Sequence, residues 1–216
     1  MNYKEVYEQW LNNDFFDEET KADLLSIQDD EAEIEDRFYK GLEFGTAGLR
    51  GKLGAGTNRM NKYMVGKAAQ ALAETLKDHG EEAIKRGVAI SYDVRYKSKE
   101  FAELTCSIMA AHGIKTYIYN GIHPTPMCSY AIRKLHCKAG VMVTASHNPQ
   151  EYNGYKAYWE EGSQILDDIA GQIAGHMDEI VNFEDIKSIP FEEALESGLA
   201  NYIDASVEED YYKEVL

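Results

Sequence analysis

Apolar residues recur at helical spacing in the first forty positions. Three segments place apolar side chains three to four residues apart, which predicts three short helices. Their apolar positions are Val6, Tyr7, Trp10 and Leu11, then Leu24, Leu25 and Ile27, then Ile34 and Phe38. Because each such helix has an apolar face to cover, we expect this segment to pack on the flank of a larger domain.

Glycine then interrupts the helical pattern. Five glycines fall between positions 45 and 56, and glycine adopts backbone conformations that other residues avoid. This stretch therefore predicts a strand, a turn and a second strand. A helix follows, with Asn61 as its expected N-cap, an apolar stripe from Met64 to Leu76, and Gly80 as its expected stop.

Strands and helices alternate through the middle of the chain. Strands are predicted at 88–92, 115–119, 139–143 and 155–159, and helices at 99–112, 127–135 and 162–180. A less regular acidic segment follows, and a helix begins within the last ten residues. The alternation predicts the α/β class: a three-layer α/β/α domain with a mixed, mostly parallel sheet and an N-terminal helical extension.

Composition and charge exclude several kinds of partner. The 216 residues carry a formal net charge of -16, which disfavours nucleic acid and anionic membranes. No run of 18 apolar residues predicts a membrane span, and no secretory signal is visible at the start. Three cysteines do not form a disulfide framework; we expect reduced core thiols and a cytoplasmic location.

A polar loop, Thr144 to Pro149, directly follows the apolar strand that ends at Val143. In α/β domains ligands bind beyond the carboxyl ends of the strands, so the hydroxyl of Ser146 is expected at a site of this kind. The alternative is an ordinary turn in which the serine and Asn148 bond to the local backbone.

Two basic residues distinguish this loop from an ordinary turn. Lys156 lies ten residues after Ser146, where a tight turn could bring the following strand back past the serine. Arg50 lies in a second, glycine-flanked loop that begins at Gly45. A basic group beside a nucleophilic serine suits phosphoryl transfer, which needs charge neutralisation and proton transfer.

Three stretches of the sequence resemble one known family. Residues 144–149, 153–156 and 44–51 closely resemble the α-D-phosphohexomutase superfamily. The N-terminal helices and the amino-acid sequence of residues 43–51 look most like its phosphoglucomutase and phosphopentomutase branch. The resemblance covers about residues 42–165 and implies the amino-terminal domain I of such an enzyme.

The resemblance implies catalytic roles for four residues. Ser146 would carry the phosphoryl group, and Lys156 would be a general acid or base. Arg50 would stabilise the phosphoserine or the phosphoryl group in transfer. His147 would contact substrate or assist proton transfer; holding the loop through a backbone bond is an equally good interpretation.

Further residues are expected to bind substrate. They are Thr46, Thr144, Asn148, Asp93 and Arg95. The segment from Asp93 to Ser98 resembles a family element near the cleft, and either direct substrate contact or a salt-bridged turn that caps the next helix would explain it. For His123 to Pro126 we favour a turn stiffened by two prolines.

The resemblance also implies domain boundaries and cofactors. Residues 1–40 would be the helical extension, 41–206 domain I with the serine loop, and 207–216 the truncated start of the next domain. Mg²⁺ would be held by the phosphate on Ser146 and by an aspartate-rich loop that this chain lacks, with glucose 1,6-bisphosphate as primer. The chain would then stop within a longer protein, its partners would be a sugar phosphate and the remaining domains, and alone it would have little activity.

The implied activity is the interconversion of glucose 1-phosphate and glucose 6-phosphate through a phosphoserine and a bisphosphate intermediate. Phosphomannomutase and phosphopentomutase activities remain open, because the loops that choose the sugar lie elsewhere. A non-catalytic sugar-phosphate-binding module is also open. A serine hydrolase is disfavoured, because His147 adjoins the serine in sequence and no Gly-x-Ser-x-Gly elbow is present.

Overall fold

A computed structural model describes residues 2–215. The helices are α1 (Tyr3–Asn12), α2 (Glu18–Ser26), α3 (Glu31–Phe38), α4 (Lys62–Asp78), α5 (Glu81–Arg86), α6 (Ser98–Ala111), α7 (Thr125–Lys134), α8 (Asp167–Glu179), α9 (Phe191–Glu196) and α10 (Ala205–Val215). The strands are β1 (Leu49–Lys52), β2 (Val88–Tyr92), β3 (Thr116–Ile118), β4 (Ala139–Val143), β5 (Tyr152–Trp159) and β6 (Ala200–Tyr202).

The strands form one mixed sheet in the order β1-β5-β4-β2-β3-β6. Strands β4, β2, β3 and β6 run parallel, whereas β5 is antiparallel to both β4 and β1. Ile90 contributes to the core beneath α4, α6 and α8, while its neighbour Ala89 contributes to the core beneath α7 and α10. Helices therefore cover both faces, which confirms the predicted three-layer α/β/α architecture.

The two central strands end where the sequence predicts. Every residue of β2 and β4 is buried, because both faces of a parallel sheet are covered. Strand β5 differs from the prediction, since it begins at Tyr152 rather than at 155. The added residues pair with β1, in the register Lys52 with Tyr152 and Leu49 with Tyr155.

The N-terminal helices pack on the flank of the domain, as expected. The Trp10 ring stacks on Phe16 at 4.3 Å between centroids and meets the edge of Tyr63 at 5.5 Å. Tyr63 belongs to the first turn of α4, where Asn61 Oδ1 accepts hydrogen bonds from the backbone nitrogens of Tyr63 (3.1 Å) and Met64 (3.0 Å). The aromatic cluster therefore fixes α1 and α2 against a capped helix.

The segment after α8 holds more regular structure than its sequence predicts. It contains α9 and the edge strand β6, which pairs with β3. Three-residue strands leave little periodicity to detect. Helix α10 begins at Ala205 rather than at 207, and Val207 is buried against the core that includes α7. The boundary at 206 stays a prediction, although it cuts a packed helix.

The three cysteines lie in the core, as the sequence predicts. Cys106, Cys128 and Cys137 are buried free thiols, and burial raises the pKa of Cys106 and Cys137 to about 12. They are therefore core residues. Among residues 2–215, no helix has both the length and the apolar character that membrane crossing requires.

Candidate active site

The serine loop leaves the carboxyl end of β4 and carries its hydroxyl into solvent. Thr144 is buried, and its Oγ1 accepts a hydrogen bond from the backbone nitrogen of Ser146 at 2.9 Å. Ser146 is exposed and has φ of 54°, a left-handed conformation that costs free energy for a non-glycine residue. A bond of 3.0 Å from the Asn148 nitrogen to the Ala145 carbonyl closes the turn. The loop is thus a fixed turn that presents its serine.

Lys156 lies beside this hydroxyl. Strand β5 returns antiparallel to β4, which pairs Lys156 with Met142 and leads its side chain to the loop. Lys156 Nζ donates to Ser146 Oγ at 2.6 Å. Partial burial lowers the pKa of Lys156, the charge of Arg50 lowers it further, and Asp93 opposes both. The ammonium is therefore easier to deprotonate than that of an ordinary lysine.

Arg50 reaches the same loop from the neighbouring strand. Its Nη1 donates to Asn148 Oδ1 at 3.1 Å. Strand β1 can approach β5 this closely because two glycines leave room for backbone. A Cβ on Gly48 would lie 1.9 Å from the Tyr155 carbonyl oxygen, and a Cβ on Gly154 would lie 2.6 Å from that of Thr144. The close approach of the two strands that carry the candidate cations thus depends on glycine.

Arg95 holds the serine loop from the adjoining turn. Its Nη2 donates to the carbonyl oxygens of Ser146 (3.0 Å) and Asn148 (2.6 Å), and its Nη1 to those of Pro149 (2.8 Å) and Tyr152 (2.9 Å). One guanidinium therefore ties four backbone acceptors of the loop together. The sequence could not predict this role, because every residue type carries a backbone carbonyl oxygen and the acceptors of Arg95 therefore have no characteristic residue type.

Asp93 organises the turn from which Arg95 extends. Its Oδ1 accepts from the Arg95 nitrogen (3.0 Å) and from Ser98 Oγ (2.9 Å), and Ser98 is the first residue of α6. Buried Asn153 donates through Nδ2 to the Tyr96 carbonyl (2.9 Å) and to Ser98 Oγ (3.0 Å). The salt bridge of the expected turn is present, with Arg95 Nε 3.8 Å from Asp93 Oδ2, but no side chain caps the backbone at the start of α6. Substrate contact by Asp93 and Arg95 stays a prediction.

Two expected site residues make no hydrogen bond within residues 2–215. Thr46 lies exposed in the turn closed by Gly45 and Gly48, and His147 lies exposed beside the serine. His123 lies apart from these residues: its ring stacks on Tyr119 at 4.1 Å. Helix α7 begins at Thr125, so the predicted turn at 123–126 already includes the start of that helix.

A cavity of about 610 Å³ lies in front of the serine. Its lining residues are Asp93, Val94, Arg95, Tyr96, Ser146, Asn148 and Gln150. Three cations, Arg50, Arg95 and Lys156, lie at this edge of a chain whose formal net charge is -16. An exposed hydroxyl with a lysine amine in hydrogen-bond contact and a nearby guanidinium is an arrangement that can accept and stabilise an anionic phosphoryl group.

Comparison with known proteins agrees with the fold. Residues 41–183 match the family described as phosphoglucomutase/phosphomannomutase, alpha/beta/alpha domain I. The chain therefore belongs to the phosphohexomutase superfamily, as the sequence resemblance predicted.

Its relatives are sugar-phosphate mutases. The chain is 36% identical over 214 residues to a phosphoglucomutase of Staphylococcus epidermidis, covering 99% of this chain and 37% of the relative. It is 40% identical to a probable phosphoribomutase of Schizosaccharomyces pombe, over 76% of this chain and 28% of that protein. The structure of parafusin, a phosphoglucomutase of Paramecium, superposes with a TM-score of 0.56 at 25% identity, covering 69% of this chain and 26% of that one. The chain thus spans between 26% and 37% of the length of these relatives.

Proposed function

We propose that this chain is the phosphoryl-carrying domain of a phosphoglucomutase that interconverts glucose 1-phosphate and glucose 6-phosphate. The observation that carries the proposal is the 2.6 Å hydrogen bond from Lys156 Nζ to the exposed Ser146 Oγ. Membership of the family supports it, and so does the phosphoglucomutase named among the relatives.

In this proposal Ser146 is the phosphoryl carrier. Phosphoserine passes its phosphoryl group to the free hydroxyl of the sugar monophosphate, so the serine O–P bond breaks as the sugar O–P bond forms. The resulting glucose 1,6-bisphosphate reorients in the active site and returns its other phosphoryl group to Ser146 Oγ. No net phosphate is consumed, and positioning with electrostatic stabilisation supplies most of the acceleration.

Lys156 and Arg50 serve the transfer in different ways. Lys156 is the general acid or base, and its lowered pKa supports this role because both protonation states become accessible nearer to neutral pH. Arg50, held at the loop by Asn148, would place its forked donors near the phosphoryl oxygens. His147 would contact the substrate or assist proton transfer. The further residues proposed to bind the substrate remain Thr46, Thr144, Asn148, Asp93 and Arg95.

The residues that the structure describes, 2–215, do not form a magnesium site by themselves. Among residues 2–215, no group of three or more His, Cys, Asp or Glu side chains could hold a metal ion. Mg²⁺ prefers six oxygen ligands, and the phosphate on Ser146 would supply one of them. We therefore derive no step of the transfer from a metal, and propose that any further ligands come from outside this chain.

The remaining domains of a longer polypeptide would complete the enzyme. The relatives extend well beyond the matched region, since the chain covers 37% of the Staphylococcus phosphoglucomutase. We propose that residues 41–206 act as domain I, after the helical extension of residues 1–40, and that 207–216 lead into the next domain. We further propose that the isolated chain has little activity and that the enzyme acts in the cytoplasm, which its free thiols support.

A pentose phosphate is the second candidate substrate, favoured by the relative named as a phosphoribomutase. Assays of the full-length parent would test both sugars, with magnesium and the matching bisphosphate primer. We expect turnover of glucose 1-phosphate, stoichiometric phosphate on Ser146 by intact-mass analysis, and loss of both in Ser146→Ala. Equal rates in the two proteins would overturn the mechanism, and an unphosphorylated parent would favour a non-catalytic binding module.

A further inference from the structure

A second cavity lies away from the serine loop, between α4, α8 and the segment that precedes β1. Its volume is about 460 Å³. Its walls are mixed in character, and the apolar members are Leu42, Phe44, Met64, Ala174 and Met177. Lys40, Glu43, Lys67 and Asp178 supply the charges. It shares no lining residue with the cavity in front of Ser146.

Lys67 is the unusual group in this cavity. Its side chain is half-buried, and it makes no hydrogen bond or ion pair within residues 2–215. Other lysines nearby are paired: Lys40 lies 3.3 Å from Glu43, and Lys62 bonds to Asp17. A partly desolvated ammonium that makes no ion pair with the nearby Asp178 is costly, and this cost favours the neutral amine.

The electrostatic surroundings agree with this geometry. Burial lowers the pKa of Lys67, and the carboxylate of Asp178 opposes that shift only in part. Within residues 2–215, Lys67 and Lys156 are the two lysines whose pKa is lowered. Perturbed amines of this kind concentrate at reactive sites, since the neutral form is the nucleophile.

We propose that Lys67 is a modification site, whose amine takes up an acyl group from a small acyl phosphate. The lone pair of Nζ attacks the acyl carbon, a nitrogen–carbon bond forms, and the bond from that carbon to the phosphate oxygen breaks. Phosphate leaves with the electron pair, and the amine proton passes to solvent. The site uses none of the residues assigned to phosphoryl transfer and stands independently of that function.

The walls of the cavity suit the product. The acyl group would lie among Phe44, Met64 and Met177, and acylation would remove an unpaired charge from a partly apolar surrounding. A cavity of about 460 Å³ has room for a small acyl phosphate, which carries its own leaving group.

Acetylation of the folded chain by limiting acetyl phosphate tests the proposal. Peptide mass spectrometry would follow Lys67 beside Lys52 and Lys187, two exposed lysines that also lack an ion-pair partner within residues 2–215. We expect Lys67 to react several-fold faster at about pH 7, because the neutral fraction of an amine rises about tenfold for each unit by which its pKa falls. The advantage should shrink towards about pH 10, where exposed amines also lose their protons.

Two controls test whether the reactivity of Lys67 comes from the folded cavity or from the neighbouring residues in the sequence. In Asp178→Asn the opposing carboxylate is gone, so Lys67 should react faster while Lys52 stays unchanged. In concentrated urea the preference for Lys67 should disappear. The proposal is overturned if Lys52 or Lys187 reacts as fast as Lys67 in the folded chain, if D178N leaves the rate at Lys67 unchanged, or if the preference persists after unfolding.

Discussion

Arg95 donates a hydrogen bond from Nη2 to the backbone carbonyl of Ser146 at 3.0 Å, and the same guanidinium bonds three further carbonyl oxygens of the loop. The candidate nucleophile is therefore held through its main chain by one residue and bonded through its side chain by Lys156. The two contacts can be tested separately, because one holds the main chain of the loop and the other places an amine at its hydroxyl.

Replacing Arg95 tests the first contact. In Arg95→Met the four carbonyl groups lose their donor, and we expect the free energy of unfolding to fall by about 1–3 kcal/mol. Amide hydrogen exchange should accelerate across residues 144–152. The exposed Arg133, whose side chain makes no hydrogen bond within residues 2–215, supplies the matched control in Arg133→Met. Unchanged exchange in the loop of R95M would contradict the assigned role.

Replacing Lys156 tests the second contact, in the full-length parent. A general acid or base typically contributes 10²–10⁴-fold, so Lys156→Met should lower kcat by about that factor. The wild-type rate should also change on the alkaline side as the pH passes the pKa of Lys156, which lies below its usual 10.5. That alkaline change should be missing in K156M. A pH–rate profile shared by both proteins would exclude Lys156 from proton transfer.

The sequence predicts those parts of the molecule that depend on local pattern. Strand β4 is a continuous apolar run, β2 is apolar apart from Ser91, and Asn61 precedes a clear apolar stripe, so the bounds of these elements could be predicted. Lys156 could be placed beside Ser146 because a tight turn returns the chain within ten residues. Arg95 could not be assigned its role, since its acceptors are main-chain groups far along the chain. Strand β6 was missed because its pairing with β3 joins segments more than eighty residues apart.

A methyl group added at Gly154 should disrupt the sheet beside the site. The new Cβ of Gly154→Ala would lie 2.6 Å from the Thr144 oxygen and 3.0 Å from the Leu49 oxygen, both of which are backbone atoms. Strand β1 would have to move, and overpacking of this kind costs about 1–3 kcal/mol. Urea denaturation would measure the loss.

Gly175 provides the control for that change. It lies within α8, and a Cβ added there meets nothing within 4 Å. Gly175→Ala should therefore stabilise the chain by about 0.5–1 kcal/mol, because glycine is a poor helix former. Equal losses of stability in G154A and G175A would show that the close approach of β1 to β5 does not require glycine.

Two histidines should give opposite contributions to stability in acid. The buried His112 ring accepts a hydrogen bond from Lys77 Nζ at 2.7 Å and faces Gln70 Oε1 at 3.2 Å, with Glu74 Oε1 3.3 Å from Nδ1. Burial lowers its pKa below the usual 6.5, and the Lys77 charge lowers it further. The unfolded chain then binds more protons than the folded one as the pH falls through 6.5, so His112 destabilises the fold there.

His176 behaves in the opposite way. Burial acts to lower its pKa, but hydrogen bonds to Asp78 (2.7 Å) and Glu179 (3.2 Å) outweigh that effect and raise it above 6.5. The folded chain binds the proton more tightly, so this stabilisation is complete below 6.5 and is lost as the pH rises through the folded pKa. Between about pH 8 and pH 5.5, His112→Gln should lose less stability than wild type and His176→Gln should lose more. Urea denaturation at both pH values measures the change in the free energy of unfolding. If that change differs from wild type in the same direction in both variants, the opposite pKa shifts of the two histidines are contradicted.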